Sequence, residues 1–244
     1  MKKSTINVII AAIAAIVLGC VLVSGFQDRN KAMNSITVTG MSQKDFTSDL
    51  IVWQGSYTIR NFNLAEGYKK LHGDAETVKN YLLSQGLKPE EFVFSSVNFY
   101  KDFSNSYNRQ TGESTSVFNG YVLSQNVQIT SKDVNKIEAL SRDVTSLINK
   151  GIEFSSNAPE YYYTKLSELK LEMIAAASDD GRKRAEQIVE NAGGKIKDLQ
   201  SASLGVFQIT AQNANENYSA GGAFNTWSKD KTVSVTVRLK YQVK

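Results

Sequence analysis

The residues that most often do chemistry are scarce in this chain. His72 is the sole histidine and Cys20 the sole cysteine. A zinc site draws on several Cys, His or acidic ligands at once, so the usual sets cannot be assembled. A triad would need partners that a lone mid-helix histidine beside Leu71 does not have, and we read His72 as a solvated or half-buried helix residue. Two adjacent carboxylate pairs occur, Glu90-Glu91 and Asp179-Asp180. Glycoside hydrolysis needs two carboxyl groups facing each other across a bond. Neighbours in sequence point to different sides, and both pairs sit near Lys or Arg, so they read as solvated surface. Gly193-Gly194 falls at the end of a helix, whereas a phosphate cradle uses the amides of a helix start. No Walker or dinucleotide fingerprint occurs. The sequence assigns no catalytic, cofactor-binding or metal residue, and no cofactor.

Two aromatic groups could recognise something. In a strand, Tyr161 and Tyr163 of Tyr161-Tyr162-Tyr163 share a face and Tyr162 opposes them. A carbohydrate or peptide platform is one reading, and packing in a core or at a sheet edge is the one strand propensity favours. The second group is Tyr218, Phe224 and Trp227, within an Asn213–Trp227 loop rich in Asn, Gly and Ser. Rings exposed in such a loop would contact a partner or a neighbouring subunit. The alternative is a hairpin tip folded back on its own sheet.

What positions these groups begins with the N-terminus. Residues from Val8 to Phe26 carry no charge, behind Lys2 and Lys3. A spanning helix needs ~20 apolar residues, and positive charge stays cytoplasmic. Residues 1–7 therefore read as a cytoplasmic segment, 8–26 as a transmembrane anchor or signal segment, 27–34 as a tether, and 35–244 as an exported domain. Three fates compete for the apolar run. It is retained as an anchor, or cleaved after Val23-Ser24-Gly25, or lipidated at Cys20, because Val17-Leu18-Gly19-Cys20 resembles a bacterial lipobox. The expected location is the bacterial cell envelope, anchored in the inner membrane with a periplasmic domain. Secretion to the periplasm and an outer-membrane lipoprotein are the alternatives. The exported part has no cysteine, so its stability must come from a packed core. The formal charge is +4, and basic and acidic residues are interspersed. A nucleic-acid surface would cluster Lys and Arg on one face, so no nucleic-acid partner is expected.

Within the domain, Ile36, Val38 and Gly40 open an alternating strand. A second runs from about Phe46 to Arg60, with both faces apolar at its centre, as in a strand covered on two sides. Asn63 caps a first helix, with Leu64, Tyr68, Leu71, Ala75, Val78 and Leu82 as its stripe, and Gly86 ends it. Strands from Phe92 to about Phe103 and from about Val117 to Thr130 form a long hairpin around a polar loop through Asn105, Ser106, Asn108 and Gly112. Ser131 caps a second helix, striped by Val134, Ile137, Leu140, Val144 and Leu147 and closed by Gly151. Extended chain from Ile152 to about Leu166 breaks near Asn157-Ala158-Pro159. The longest helix covers Ser167 to Ala192, with Leu171, Ile174, Ala177, Gly181, Ala185, Ile188 and Ala192 as its buried side. Its small central residues predict close approach to a neighbour. A strand from Lys195 to about Thr210 and a last strand with Val233, Val235, Val237, Leu239, Tyr241 and Val243 in strict alternation complete the chain. The fold class is α+β: two β-α-β-β-like units, Phe46–Thr130 and Ile152–Val243, with long antiparallel hairpins packed with helices and a third long helix.

This order of elements resembles the SIMPL-domain family of bacterial periplasmic immunogenic-type proteins, a domain of unknown function. The likeness rests on Ser35-Ile36-Thr37-Val38-Thr39-Gly40, on the helix–glycine–strand passage from Val78 through Gly86 to Phe94, and on the Ala-rich helix. That helix carries Ile174-Ala175-Ala176-Ala177 and Arg182-Lys183-Arg184-Ala185-Glu186, with Gly193-Gly194 after it. Gly40-Met41-Ser42 lacks the second glycine of the family's Gly-x-Gly, and Phe46-Thr47-Ser48-Asp49 stands where the family often has a proline with an acidic residue or alanine. The resemblance implies an envelope protein that assembles into rings or channel-like oligomers, some members being linked to oxidative-stress tolerance. It implies no catalytic residues. A homo-oligomer is also what long hairpins with open edges call for. The expected function is assembly or binding without catalysis. An envelope hydrolase with an unrecognised carboxylate site, or a monomeric adaptor that recruits another envelope protein, are the alternatives.

Overall fold

The computed structural model describes residues 12–23, 34–109, 112–215 and 218–244. Of the apolar run, residues 12–23 form a helix, α1, exposed along its whole length. The remainder of Val8–Phe26, and the tether up to residue 33, lie outside the described residues. Among the described residues no helix is long and apolar enough to cross a membrane.

Strands β1 (Ser35–Thr47) and β2 (Leu50–Asn61) are separated only by Ser48 and Asp49, yet they belong to different sheets. The first sheet is built on β2. Helix α2 (Leu64–Ser84) follows, then β3 (Phe92–Phe94), β4 (Asn98–Asn108) and β5 (Glu113–Ser131). Strand β5 pairs antiparallel with β2 on one side and with β3 and β4 on the other. After α3 (Val134–Asp143), β6 (Glu153–Ser156) and β7 (Glu160–Tyr162) return to the far edge of β2. The second sheet contains β8 (Ile196–Leu204), β9 (Gln208–Ala211), the short β10 (Ala223–Phe224) and β11 (Asp230–Val243), all following the long helix α4 (Leu166–Asn191). Strand β11 is central, with β8 and β9 on one side and β1 along the whole of the other.

The α+β class holds, but the two units are not the halves the order of elements predicts. Each unit is strand, helix, broken strand, long strand: β2–α2–β3/β4–β5 and β1–α4–β8/β9–β11. The opening strand of the second unit is the chain's first strand, and the extended stretch after Gly151 extends the first sheet instead. Local reading pairs neighbours in sequence, whereas β1 and β11 meet through complementary alternation across most of the chain.

Each unit buries its own core. In the first, Ile51, Trp53, Tyr57 and Leu123 meet Leu71, Val78 and Leu82 of α2 and the apolar stripe of α3. Only one face of β2 is buried; Leu50 and Val52 are half-buried and Gln54 is exposed, so it is a one-sided strand. In the second, Val38, Val233, Val235, Val237 and Leu239 meet Leu169, Met173, Ala177, Ala185 and Val189 of α4. Leu171 and Ile188, predicted on the buried side, are exposed. The buried row from Leu169 to Val189 runs at i+4 throughout. That row rotates by about 40° per step around a helix of 3.6 residues per turn, so it winds across the twisted sheet and departs from a straight stripe. Asp133, not Ser131, caps α3, its carboxylate accepting from Lys136 N at 3.2 Å. Ser131 is the last residue of β5, and its hydroxyl donates to Glu91 at 2.6 Å.

The two units are joined at a seam. Ser48 N donates to Lys229 O at 2.9 Å, Asp49 N to Tyr162 O at 3.0 Å and Tyr161 N to Thr226 O at 2.7 Å. Lys231 lies at its centre, 2% exposed, in phase with Val233 and Val235 on the core face. Its ammonium donates to Ser48 Oγ at 2.8 Å and to the Tyr161 carbonyl at 2.6 Å, both neutral oxygens. Burial pulls this lysine down from 10.5 to about 8. In the folded chain it releases its proton near pH 8, while the unfolded chain keeps it until near the ordinary value, so the unfolded state binds more protons in between. Stability therefore rises with pH above about 8, and that contribution is lost as pH falls through it. The Tyr161 phenol, pushed up by burial and by Glu138, stays protonated there. Denaturant titrations from about pH 7 to about pH 9.5 should show a gain on the order of 1–3 kcal/mol that Lys231→Met abolishes.

Candidate functional site

The largest departure from a covered fold is the β4–β5 hairpin. Strand β2 pairs with β5 only from Tyr121 onward, so among the described residues the stretch of β5 from Glu113 to Gly120 has β4 as its sole strand neighbour. The result is a two-stranded ribbon extending about 20 Å past the sheet at ~3.4 Å per residue. Phe103–Tyr107 and Ser114–Val117 are exposed at every position. The polar loop predicted from Asn105 to Gly112 is shorter than expected. Pairing continues through Asn105↔Ser116 and Tyr107↔Ser114 to Asn108↔Glu113. Ser, Asn and Thr look like loop composition, but here they face each other across a ladder.

A β-bulge sets the direction of the rings. Asp102 pairs with Gly120 and Phe103 with Phe118, which leaves Asn119 as an extra residue. Gly120 takes φ +112, a left-handed value suited to glycine, and an added Cβ would lie 3.0 Å from the Asn61 carbonyl. One inserted residue keeps Phe118 on the same face as Tyr121, where strict alternation would oppose them. Phe118 meets Tyr121 at 5.3 Å, Phe103 at 5.5 Å and Phe62 at 6.1 Å between ring centroids. Tyr107 continues the row outward.

That row is an extension of the core face. Leu123, Val127 and Ile129 line the same side of β5 and are buried beneath helices. Helix α2 starts only at Leu64, so its cover ends there. At the boundary lies an apolar cavity of about 630 Å³ lined by Leu64, Tyr68, Val97, Phe99 and Leu123. Tyr68, expected in the helix core stripe, is 55% exposed in its wall. A second cavity of about 410 Å³ shares Tyr68 and Val97 and contains His72 with Glu76 and Lys79. His72 is exposed on α2, as a solvated helix residue would be.

The residues singled out by sequence are scattered. Tyr161 is buried, Tyr162 donates to Glu160 at 2.6 Å, and Tyr163 packs on Phe46 at 5.0 Å, so this cluster serves packing. Tyr218, Phe224 and Trp227 are exposed, at 64, 55 and 74%. Their loop does fold back. Buried Gln208 donates to Ser219 O at 2.8 Å and accepts from Ala223 N at 2.9 Å, and β10 adds to β9. Cys20 is exposed on α1. Glu91 caps the turn at Lys88 N, 2.9 Å, and is held below the usual carboxylate range by that bond and by Ser131. Asp180 accepts from Met41 N at 2.9 Å and pairs with Arg184 at 2.8 Å, and Asp179 pairs with Lys183 at 2.7 Å. Glu90 and Glu91 both line a cavity of about 390 Å³ with Gln54, Asn126 and Gln128, and Asp179 and Asp180 are held in ion pairs along α4. Among the described residues no group of three or more His, Cys, Asp or Glu is placed to hold a metal ion. The sequence shows this hairpin but presents its outer part, Ser104–Asn108 against Glu113–Ser116, as loop, although Phe99, Phe103 and Tyr107 recur at even spacing, a strand signal inside polar surroundings.

Two helix-covered, mainly antiparallel sheets sharing a seam, with one uncovered aromatic ribbon, define a two-unit α+β protein. The family model described as SIMPL, Protein of unknown function (DUF541), matches residues 36–241, and the chain belongs to that family. No curated protein matches it.

Proposed function

We propose that this is a membrane-anchored protein of the bacterial cell envelope whose domain faces the periplasm and acts by homo-oligomeric assembly. The observation that carries the reading is the ribbon. An isolated hairpin is marginal in water, and this one carries aromatic rings on a face continuous with the core. Burying such rings against another chain is worth about 1.5–3 kcal/mol each. Anchoring is supported by the Val8–Phe26 run behind Lys2 and Lys3, and by an α1 whose apolar residues are exposed all round, as in a helix meant for lipid. Intact mass of membrane-extracted protein separates retained, clipped and Cys20-lipidated forms. A role in oxidative or envelope stress tolerance follows the family resemblance, and unchanged survival of a deletion strain under peroxide would count against it. Assembly is tested by light scattering on the full chain in detergent. Several copies per particle are expected, and a monomer at every accessible concentration would refute the reading. The adaptor reading draws on exposed Tyr218, Phe224 and Trp227, and would be favoured by that monomer.

A further inference from the structure

We propose that the ribbons of neighbouring copies join edge to edge, β4 of one copy to β5 of the next, into a closed antiparallel collar. This rests on the assembly reading above and gives it an interface. Three observations lead to it. First, both edges of the ribbon are open. Among the described residues strand β4 pairs only with β5, and β5 has no second neighbour from Glu113 to Gly120. Open edges present unpaired backbone donors and acceptors, a template for another strand. Second, Glu113 at the outer end is the sole charged residue in Phe103–Asn108 and Glu113–Gly120. An acidic or basic partner finds almost no counter-charge there, whereas a neutral extended strand with small hydroxyls and rings needs none. The ribbon is itself such a strand pair. Third, its two edges run in opposite directions, so the β4 edge of one copy and the β5 edge of another are antiparallel when both tips point the same way.

The alternative pairings differ in direction. Joining β4 to β4, or β5 to β5, in antiparallel fashion is two-fold symmetric and points the two tips apart. Copies held in one membrane by their N-termini share an orientation, which leaves the head-to-tail β4–β5 contact. A head-to-tail contact repeats, and it ends without free edges only by closing on itself. Ribbon residues alternate, so Phe103, Tyr107 and Phe118 line one surface of the collar. Ser104, Ser106, Thr115 and Val117 line the other. The ring-bearing surface continues the core face that α2 leaves bare.

The test uses single cysteines on the hydroxyl-bearing face of the full chain carrying Cys20→Ser. Ser106→Cys and Ser104→Cys mark β4; Thr115→Cys and Val117→Cys mark β5. All four positions are exposed, so the fold should survive, and an unchanged melting temperature checks it. Neighbouring strands bring paired Cα atoms within disulfide range. Co-expressed pairs, one β4 variant with one β5 variant, should give a disulfide-linked dimer under mild oxidation in at least one register. The yield should exceed that of either variant alone by more than about tenfold. A dimer from a single variant by itself would show a two-fold pairing and overturn the proposal. No dimer in any of the four mixtures, with light scattering still multimeric, would overturn it too while leaving assembly standing. A monomeric mass would instead remove the assembly reading on which it rests.

Discussion

Gly40→Ala should cost the fold about 3 kcal/mol or more, the upper end of what overpacking usually costs. A Cβ at Gly40 would lie 2.0 Å from the Ala177 carbonyl and 2.4 Å from Gly181 N. These are backbone atoms of α4, so no rotamer change relieves the clash. The helix would have to lift off β1. That movement opens the contacts of Val38 and Leu239 with Ala177 and Ala185. It also strains the 2.9 Å bond from Met41 N to Asp180, which clamps the helix to the strand at the same level. The crossing is tight from both sides, because a Cβ on Gly181 would meet Leu239 at 2.9 Å. Thermal unfolding should fall by about 6 °C or more at this chain length. Gly73→Ala is the contrasting case. It lies inside α2 with nothing within 4 Å of an added Cβ, so it should stabilise by about 0.5–1 kcal/mol. Equal behaviour of the two variants would show that the helix–strand crossing is looser than described.

Phe103→Ser with Tyr107→Ser should release monomers while leaving the fold intact. Both rings are at least half exposed, at 50 and 65%, so the single copy loses little on their removal. If another copy covers them, each lost ring removes about 1.5 kcal/mol or more of burial from each interface. Together this weakens association by at least about a hundredfold. Light scattering of the double variant should report a single copy at concentrations where the parent is multimeric. The melting curve at matched low concentration should barely move. A multimer of unchanged stability would place the interface elsewhere, with the exposed rings of the 218–227 loop as the next surface to replace.

How much of this was readable in advance depends on the range of the interaction concerned. Local signals read well. Asn63 caps α2 with bonds to Ala65 N and Glu66 N, Gly86 and Gly151 take left-handed conformations, and the alternation of β11 gives its buried face. The small residues of α4 correctly announced a close approach. The structure adds that Gly40 is their partner, so two separated motifs that carry the family resemblance touch each other. Pairing of β1 with β11 could not be read, because alternation says which face is buried and nothing about which strand lies alongside. The outer part of the ribbon was hidden for another reason. A strand with no core to cover has no need of apolar residues on a buried face, so its Ser and Asn positions imitate a loop. Lys231 carried a legible signal, standing in phase with Val233 and Val235, where a charge is not expected without a reason.

The most direct test is hydrogen exchange of the ribbon in the full chain extracted in detergent. Amides resist exchange in proportion to the free energy of opening, and an uncovered two-stranded hairpin opens readily. If another copy covers it, peptides spanning Phe103–Asn108 and Ser114–Phe118 should be as protected as those of the β2–β5 pair in the core. Exchange of those peptides at rates close to an unstructured chain, in particles that light scattering shows to be multimeric, would contradict the claim that the ribbon is where copies meet.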